Sequence, residues 1–93
     1  MSKLQKAAKL IEDEHRVETR VLAVDFADKP ENYCRAILKE ITDLDIGVLV
    51  NNVGVNCDYP DEFLNIDREM VKSIIDVNII ATTAVTEVPK VPI

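Results

Sequence analysis

Two groups of polar residues have the types and the placing that ligand chemistry at the edge of a sheet requires. The turn Asn51-Asn52-Val53-Gly54 follows the apolar run Ile46 to Val50, and Asp25 lies near the end of an earlier apolar run that begins at Arg20. The carboxyl ends of parallel strands meet at one edge of a sheet, where backbone groups and amide side chains can reach a ligand. The pattern therefore predicts a binding edge. The alternative is an ordinary pair of turns, because Asn and Gly tolerate positive φ and a strand-end Asp readily initiates a turn.

A β-α-β unit is predicted to position these residues. Arg20 to Phe26 and Ile46 to Asn51 are short, β-branched, apolar runs typical of buried parallel strands. Between them, Asp28 is expected to cap a helix that has Pro30 in its first turn, stops near Leu44, and carries Cys34, Ile37, Leu38 and Ile41 on one face. About 20 residues separate the strands, which is enough for a right-handed parallel crossover.

Two further helices are predicted, one on each side of this unit. Ser2 to His15 is amphipathic and starts with a possible capping box made by Ser2 and Gln5. Asp67 is a candidate N-cap for a third helix that runs to about Val85. The second half of this helix is rich in β-branched residues, so strand is an alternative on propensity alone. Pro89 and Pro92 are expected to end any regular element.

Composition excludes several functional classes. The 93 residues carry a net charge of -6, which argues against a nucleic-acid or anionic-membrane partner. No apolar run is long enough to span a bilayer. Cys34, Cys57 and His15 are too few to build a zinc site without carboxylates, so no metal is predicted. Both cysteines are interpreted as reduced, which favours a cytosolic environment for this part.

The turn resembles the Asn-Asn-Ala-Gly signature of the short-chain dehydrogenase/reductase family. Valine at its third position is similar to the branch of steroid dehydrogenases and very-long-chain 3-oxoacyl-CoA reductases. The resemblance, which covers about residues 2 to 85, implies an α/β fold, a doubly wound Rossmann sheet, of which this chain would hold two strands and three helices. It implies NADP as cofactor, with Asp25 on the adenine amine and Asn51, Asn52, Val53 and Gly54 at the ribose. A steroid or long-chain 3-oxoacyl substrate and an endoplasmic reticulum location follow from the same resemblance.

Asn78, in Ile75-Asp76-Val77-Asn78-Ile79, is similar to a residue of the family's central helix. The resemblance implies a catalytic role for Asn78, which would help hold a water that connects the catalytic lysine to solvent. The alternative is a polar residue that caps or kinks a helix.

Other signatures of the family are missing from the 93 residues. With only Gly47 and Gly54 present, the family's Thr-Gly-x-x-x-Gly-x-Gly loop is not here. Neither Tyr33 nor Tyr59 is followed at the fourth position by lysine, so there is no Tyr-x-x-x-Lys. We therefore expect residues 1–93 to form a single partial dinucleotide-binding domain, the middle of such an enzyme, that lacks both the glycine-rich unit and the catalytic half and is inactive alone.

Two other functions stay open at this level. One is a non-catalytic interaction module that associates with a full-length relative, or with itself, through the 67–86 helix. The other is a small α/β domain with an unrelated ligand. In a compact monomer, Val21 to Asp25 should pair directly with Val48 to Asn51, because the strands that separate them in the parent sheet are not in this sequence.

Overall fold

The computed structural model describes residues 2–89 of the chain. Regular structure in this range is helical, and its elements in order are α1 (Lys3–His15), α2 (Pro30–Ile41), a 3₁₀ turn (Phe63–Asn65), α3 (Arg68–Ile75), a π-helical turn (Asp76–Ile80) and α4 (Ala81–Glu87). The last three follow one another without a break and form the predicted third helix. Pro92 and the other residues of the tail after 89 lie outside the described residues.

The first helix forms for the local reasons that the sequence indicates. The Ser2 hydroxyl accepts a hydrogen bond from the Gln5 amide at 3.1 Å, and the Gln5 side chain accepts one from the Ser2 amide at 3.0 Å. This capping box satisfies two amides that a helix start leaves without partners. At the other end Arg16 adopts φ 54, and its amide donates to the Glu12 carbonyl. The helix buries none of its residues, so its caps stabilise it more than its packing does.

The second helix begins one residue later than predicted. Lys29 is the N-cap and Pro30 the first helical residue, while the Asp28 carboxylate accepts from the Lys29 amide at 2.7 Å. Asp28 therefore closes the preceding turn instead of capping the helix. Tyr33 is the side chain that this helix buries, whereas Leu38, predicted on the apolar face, remains 51% exposed.

The β-branched third helix is helical throughout, as predicted, and is not a strand. Asp67 caps it by accepting from the Glu69 amide. Threonine hydroxyls then donate to carbonyls four residues earlier, from Thr82 to Asn78, Thr83 to Ile79 and Thr86 to Thr82. These bonds occupy hydroxyls that would otherwise compete with the helix for backbone partners. Tertiary packing of Val77, Ala81 and Val85 outweighs the weak helix propensity.

The two predicted strands are not confirmed. Residues 20–25 and 46–52 lie outside the regular elements: within residues 2–89 no segment forms a strand, and no backbone hydrogen bond joins the two runs. The prediction that they pair directly is therefore wrong. Both are instead held from the side by the helices: Val24, Phe26 and Leu49 pack against a core made of Tyr33, Ala81 and Val85. Side-chain packing keeps the runs in place while their backbone edges stay open.

The packed core is small for a chain of this length. Tyr33, Val77, Ala81 and Val85 are the buried apolar side chains. The radius of gyration is 15.8 Å, against about 12 Å expected for a compact domain of this size. Accessible surface is 7980 Å², whereas a folded monomer of 10.4 kDa exposes about 5,400 Å². Much apolar surface therefore lies uncovered along the extended runs. No helix in residues 2–89 is long and apolar enough to cross a membrane.

Candidate functional site

The Asn51–Gly54 turn is held against the end of the third helix. The Asn51 side-chain amide donates to the Thr86 hydroxyl at 3.1 Å, and that hydroxyl donates in turn to the Thr82 carbonyl at 2.6 Å. All four residues of the turn are exposed. The Asn51 contact fixes the point where the extended run ends, and the rest of the turn presents its groups to solvent.

Asn78 holds the other side of this turn. Its side-chain oxygen accepts from the Val55 amide at 2.9 Å, and its side-chain nitrogen donates to the Val55 carbonyl at 2.8 Å. One amide side chain thus satisfies both backbone groups of one residue. A Cβ at Gly54 would lie 3.4 Å from the Asn78 oxygen, so the helix approaches the turn at van der Waals distance there. Asn78 sits in the π-helical turn, whose wider winding sets the direction of its side chain.

Asp25 has the local role that a strand-end aspartate ordinarily has. One carboxylate oxygen accepts from the Ala27 amide at 2.9 Å, and the Asp25 carbonyl accepts from the Asp28 amide at 3.1 Å. The residue therefore starts the turn that leads to α2. Its carboxylate is exposed, and one oxygen remains for a ligand.

A cavity of about 200 Å³ lies beside the Asn51–Gly54 turn. The residues that line it come from the ends of both extended runs and from the third helix: Phe26, Leu49, Val50, Asn51, Asn52, Val53, Ala81, Thr82 and Val85. Asp25 and Gly54 are not among them. Sites for small molecules usually measure about 300–1,000 Å³. The cavity is thus smaller than a typical small-molecule site and too small for a dinucleotide.

The titrating groups with shifted pKa values lie outside this cavity. Burial raises the pKa of the Cys34 thiol, with a smaller contribution from Glu87, so Cys34 is a poor nucleophile near neutral pH. Burial likewise raises the pKa of Tyr33, whose buried hydroxyl has no hydrogen-bond partner among residues 2–89. Among residues 2–89 no group of three His, Cys, Asp or Glu side chains could hold a metal ion.

Sequence reasoning missed Thr82 and Thr86. Asn78, Thr82 and Thr86 recur at intervals of four and so lie along one side of a helix, and each of them contacts the turn, its cavity or the residue that follows the turn. That spacing was the available signal. This spacing was obscured because the β-branched residues of the same stretch favour a strand by their intrinsic propensity. The two hydrogen bonds between the Asn78 side chain and Val55 had no signal in the sequence, because the Val55 groups belong to the backbone and do not depend on residue type.

Comparisons with known proteins place this geometry in a family context. Residues 1–88 match the sequence model of a family described as short chain dehydrogenase. The chain is 42% identical over 86 residues to the "Inactive hydroxysteroid dehydrogenase-like protein 1" of Pongo abelii, which covers 92% of this chain and 26% of that protein. The human protein of the same name is 41% identical over 86 residues, again 92% of this chain and 26% of the relative.

A second kind of relative carries the name of an enzyme. The human "Very-long-chain 3-oxoacyl-CoA reductase" is 37% identical over 87 residues, which cover 91% of this chain and 27% of that protein. The chain thus spans about a quarter of the length of the curated relatives it matches. No solved structure matches it.

Proposed function

This chain belongs to the short-chain dehydrogenase family, and from that premise we propose that it supplies the adenosine-side edge of an NADP(H) site in a ketone-reducing oxidoreductase. The substrate in this proposal is a steroid or a long-chain 3-oxoacyl thioester. Family membership implies a Rossmann-like fold, in which residues 20–26 and 46–52 are the strands that end at the cofactor.

The observation that carries the proposal is the double hydrogen bond between Asn78 and the Val55 backbone. A turn that only reversed the chain would not need two hydrogen bonds from a helix residue 23 positions away. These two hydrogen bonds fix the end of the turn, and Asn52 and Val53 line the cavity together with Phe26. Pre-positioned backbone and amide groups at a strand end suit the hydroxyls of a ribose. Asp25 offers a carboxylate oxygen for an exocyclic amine near the same edge.

The cavity does not fit the whole cofactor, so no step of the reaction is assigned to these residues. The pyrophosphate of a dinucleotide needs several backbone amides, which a glycine-rich loop at a helix start provides and which these 93 residues do not include. Binding should therefore be confined to the adenosine half. The role of Asn78 in this proposal is positional, because both polar atoms of its side chain are occupied by Val55.

The test is a titration of the ¹⁵N-labelled chain with adenosine 2′,5′-bisphosphate and, separately, with NADPH. We expect both to shift the amide signals of Asn52 and Val53, with similar dissociation constants in the millimolar range. The Gly47 amide, on the same run but not among the residues that line the cavity, serves as the internal control. A micromolar constant for NADPH, or shifts that spare the turn, would contradict the proposal.

A matched variant makes the titration specific. Asn51→Ala removes the hydrogen bond to Thr86 and should weaken the shifts at Asn52 and Val53. Asn65→Ala removes an amide that contacts only its neighbour Asp61, and it should change nothing. An equal effect of both variants would mean that the turn does not recognise the ligand.

Carbonyl reduction by this chain alone is not expected. The sequence has no Tyr-x-x-x-Lys to protonate the carbonyl oxygen, and positioned acid–base chemistry contributes about 10²–10⁴-fold. Incubation with NADPH and a 3-oxoacyl-CoA or ketosteroid, monitored at 340 nm, should give no turnover above that of a heat-denatured sample. Turnover that co-purifies with the chain would refute this expectation.

A non-catalytic interaction module is the second candidate. It is favoured by the exposed isoleucines of the third helix, since Ile75 is 45% and Ile79 is 59% exposed. The Pongo abelii and human hydroxysteroid dehydrogenase-like relatives also carry the word inactive in their names. In this case Ile79→Lys should abolish association with a full-length relative in a co-purification experiment, whereas Leu10→Lys, at an exposed position of α1, should preserve it.

The proposal includes a location at the endoplasmic reticulum, with this part of the protein on the cytosolic side. The free state of Cys34 and Cys57 agrees with a reducing environment. Protease protection of tagged protein in isolated microsomes is the measurement, and protection of residues 2–89 in intact vesicles would contradict it.

A further inference from the structure

The hydroxyl of Thr86 takes part in two hydrogen bonds that together determine which way the Asn51 side chain is turned. Its oxygen lies 2.6 Å from the Thr82 carbonyl oxygen and 3.1 Å from the Asn51 side-chain nitrogen. Thr82 and Thr86 belong to α4, and Asn51 is the first residue of the Asn51–Gly54 turn. Both contacts lie within residues 51–86, so they do not depend on sequence before or after the chain.

The shorter of these contacts determines where the hydroxyl hydrogen lies. A carbonyl oxygen accepts hydrogen bonds and never donates them, so the single hydrogen of the Thr86 hydroxyl points to the Thr82 carbonyl. The Thr86 oxygen then has only lone pairs to offer to Asn51. An asparagine side chain carries one donor nitrogen and one acceptor oxygen, and only the nitrogen can bond to a lone pair. The helix therefore selects one of the two orientations of the Asn51 amide.

This orientation gives the ligand side of Asn51 the character of a hydrogen-bond acceptor. The nitrogen branch of the planar amide is directed at the helix, so the oxygen branch points away from the helix. Asn51 also lines the cavity of about 200 Å³ beside the turn. An acceptor there favours a ligand group that donates, such as a hydroxyl, over a group that can only accept, such as an ether oxygen.

A second contact keeps the turn near the helix independently of Thr86. Asn78 makes two hydrogen bonds to the backbone of Val55, which lies four positions after Asn51. The third helix thus holds the chain on both sides of the turn. Because Asn78 still holds Val55 when the Thr86 hydroxyl is removed, a substitution at Thr86 tests the orientation of the Asn51 amide and not the attachment of the turn.

We propose that Thr86 is a positioning residue of the candidate site. Through its hydrogen bond to the Thr82 carbonyl, Thr86 holds the Asn51 amide with its oxygen toward the ligand. The site then takes a ribose hydroxyl as a donor and discriminates against an ether at the same place. The identity of the ligand in this inference rests on the proposed function, whereas the orientation of Asn51 does not.

The orientation is tested first without a ligand. Thr86→Val replaces the hydroxyl by a methyl group of similar size. The Asn51 side-chain amide hydrogens, followed by ¹⁵N–¹H NMR, should then exchange with solvent about twofold to tenfold faster, which corresponds to the loss of one neutral hydrogen bond. Thr86→Ser keeps the hydroxyl and should keep the rate.

Thr83→Val is the matched control for this substitution. The Thr83 hydroxyl makes the same kind of bond along the helix, to the Ile79 carbonyl at 2.9 Å, and Thr83 is not among the residues that line the cavity. The control variant should leave the exchange of the Asn51 amide unchanged. The Asn78 side-chain amide, which donates to Val55, should keep its rate in all three variants.

The ligand preference is tested with adenosine 2′,5′-bisphosphate and its 3′-O-methyl derivative. The bulk of the methyl group affects all variants alike, so the measured quantity is the ratio of the two dissociation constants. The preference for the hydroxyl should fall by about twofold to tenfold in Thr86→Val, because Asn51 can then turn its nitrogen toward the ether oxygen. It should be unchanged in Thr86→Ser and Thr83→Val. A mere loosening of the turn would weaken both ligands equally and leave the ratio constant.

The outcomes separate this inference from the proposed function. If neither ligand binds the unmodified chain, the proposed function is contradicted and the exchange rates alone decide the inference. Exchange of the Asn51 amide that is the same in Thr86→Val as in Thr83→Val overturns the inference. Where both ligands bind, an equal ratio of dissociation constants in the unmodified chain and in Thr86→Val overturns it as well.

Discussion

Replacing Asn78 by alanine should release the loop that follows the Asn51–Gly54 turn. The substitution removes two hydrogen bonds, of 2.9 and 2.8 Å, to the Val55 backbone. A typical intramolecular hydrogen bond contributes about 0.5–1.5 kcal/mol, so the two together hold the loop by about 1–3 kcal/mol. Because Asn78 is an exposed residue, solvent can replace both bonds and the lower half of that range applies. A loss of about 1.4 kcal/mol would increase loop opening tenfold.

Amide hydrogen exchange measures this opening directly. The Val55 amide should exchange about tenfold faster in Asn78→Ala, while amides within α1 keep their rates, because that helix is stabilised by its own caps. Asn78→Asp is the isosteric comparison: it keeps an acceptor for the Val55 amide and loses the donor to the Val55 carbonyl. An unchanged Val55 rate in Asn78→Ala would refute the idea that this side chain holds the turn.

Three further outcomes follow from individual contacts. Tyr33→Phe removes a buried hydroxyl that lacks a partner among residues 2–89 and should stabilise the chain by about 1 kcal/mol in urea. Since burial raises the Tyr33 pKa, the stability of the unmodified chain should fall more steeply above about pH 10 than that of the variant. Hydrogen bonding by Arg20 lowers the pKa of Asp43 to about 2. The contribution of this pair to stability is therefore complete above about pH 4 and is lost as the pH falls through 2. A ¹³C titration should give Asp43 a pKa near 2 in the unmodified chain and near 4 in Arg20→Ala. Gly54→Ala should fold normally and keep the Val55 amide protected, because its Cβ would meet Asn78 at an ordinary contact distance; rapid exchange there would mean that this position requires glycine.

Local signals in the sequence predicted the helices well. The capping box at Ser2 and the cap at Asp67 involve residues within three positions of each other, so composition alone decides them. The assignment of Asp28 as the N-cap was wrong, because Asp28 and Lys29 are adjacent candidates for that position. Lys29, which is followed by Pro30, is the N-cap, so the helix begins one position later than predicted. Caps are thus predictable to within about one residue.

The strands could not be predicted from the same kind of signal. The apolar runs at 20–26 and 46–52 indicate strands, but neither forms one in the described residues. A strand, however, also needs a neighbour at hydrogen-bonding distance, which depends on the whole topology. Packing of Val24 and Leu49 against the helices holds each run separately, and this outweighs the gain from direct pairing. In the candidate site, the sequence predicted the Asn51–Gly54 turn and Asn78 as functional residues. It did not predict that Asn78 holds the residue next to the turn, Val55.

The π-helical turn at Asp76–Ile80 also affects how this chain can tolerate changes in length. A π-turn usually contains one residue more than the α-helix it interrupts, and each residue of an α-helix turns the chain by about 100°. Deleting one residue between 76 and 80 would let the helix wind as α throughout. Because the deletion removes only the extra residue, Ala81 and Val85 would still face the core after it. Insertions and deletions elsewhere in residues 68–87 would rotate these two residues away from Tyr33, so changes in length should be accepted at the bulge before any other place in the helix.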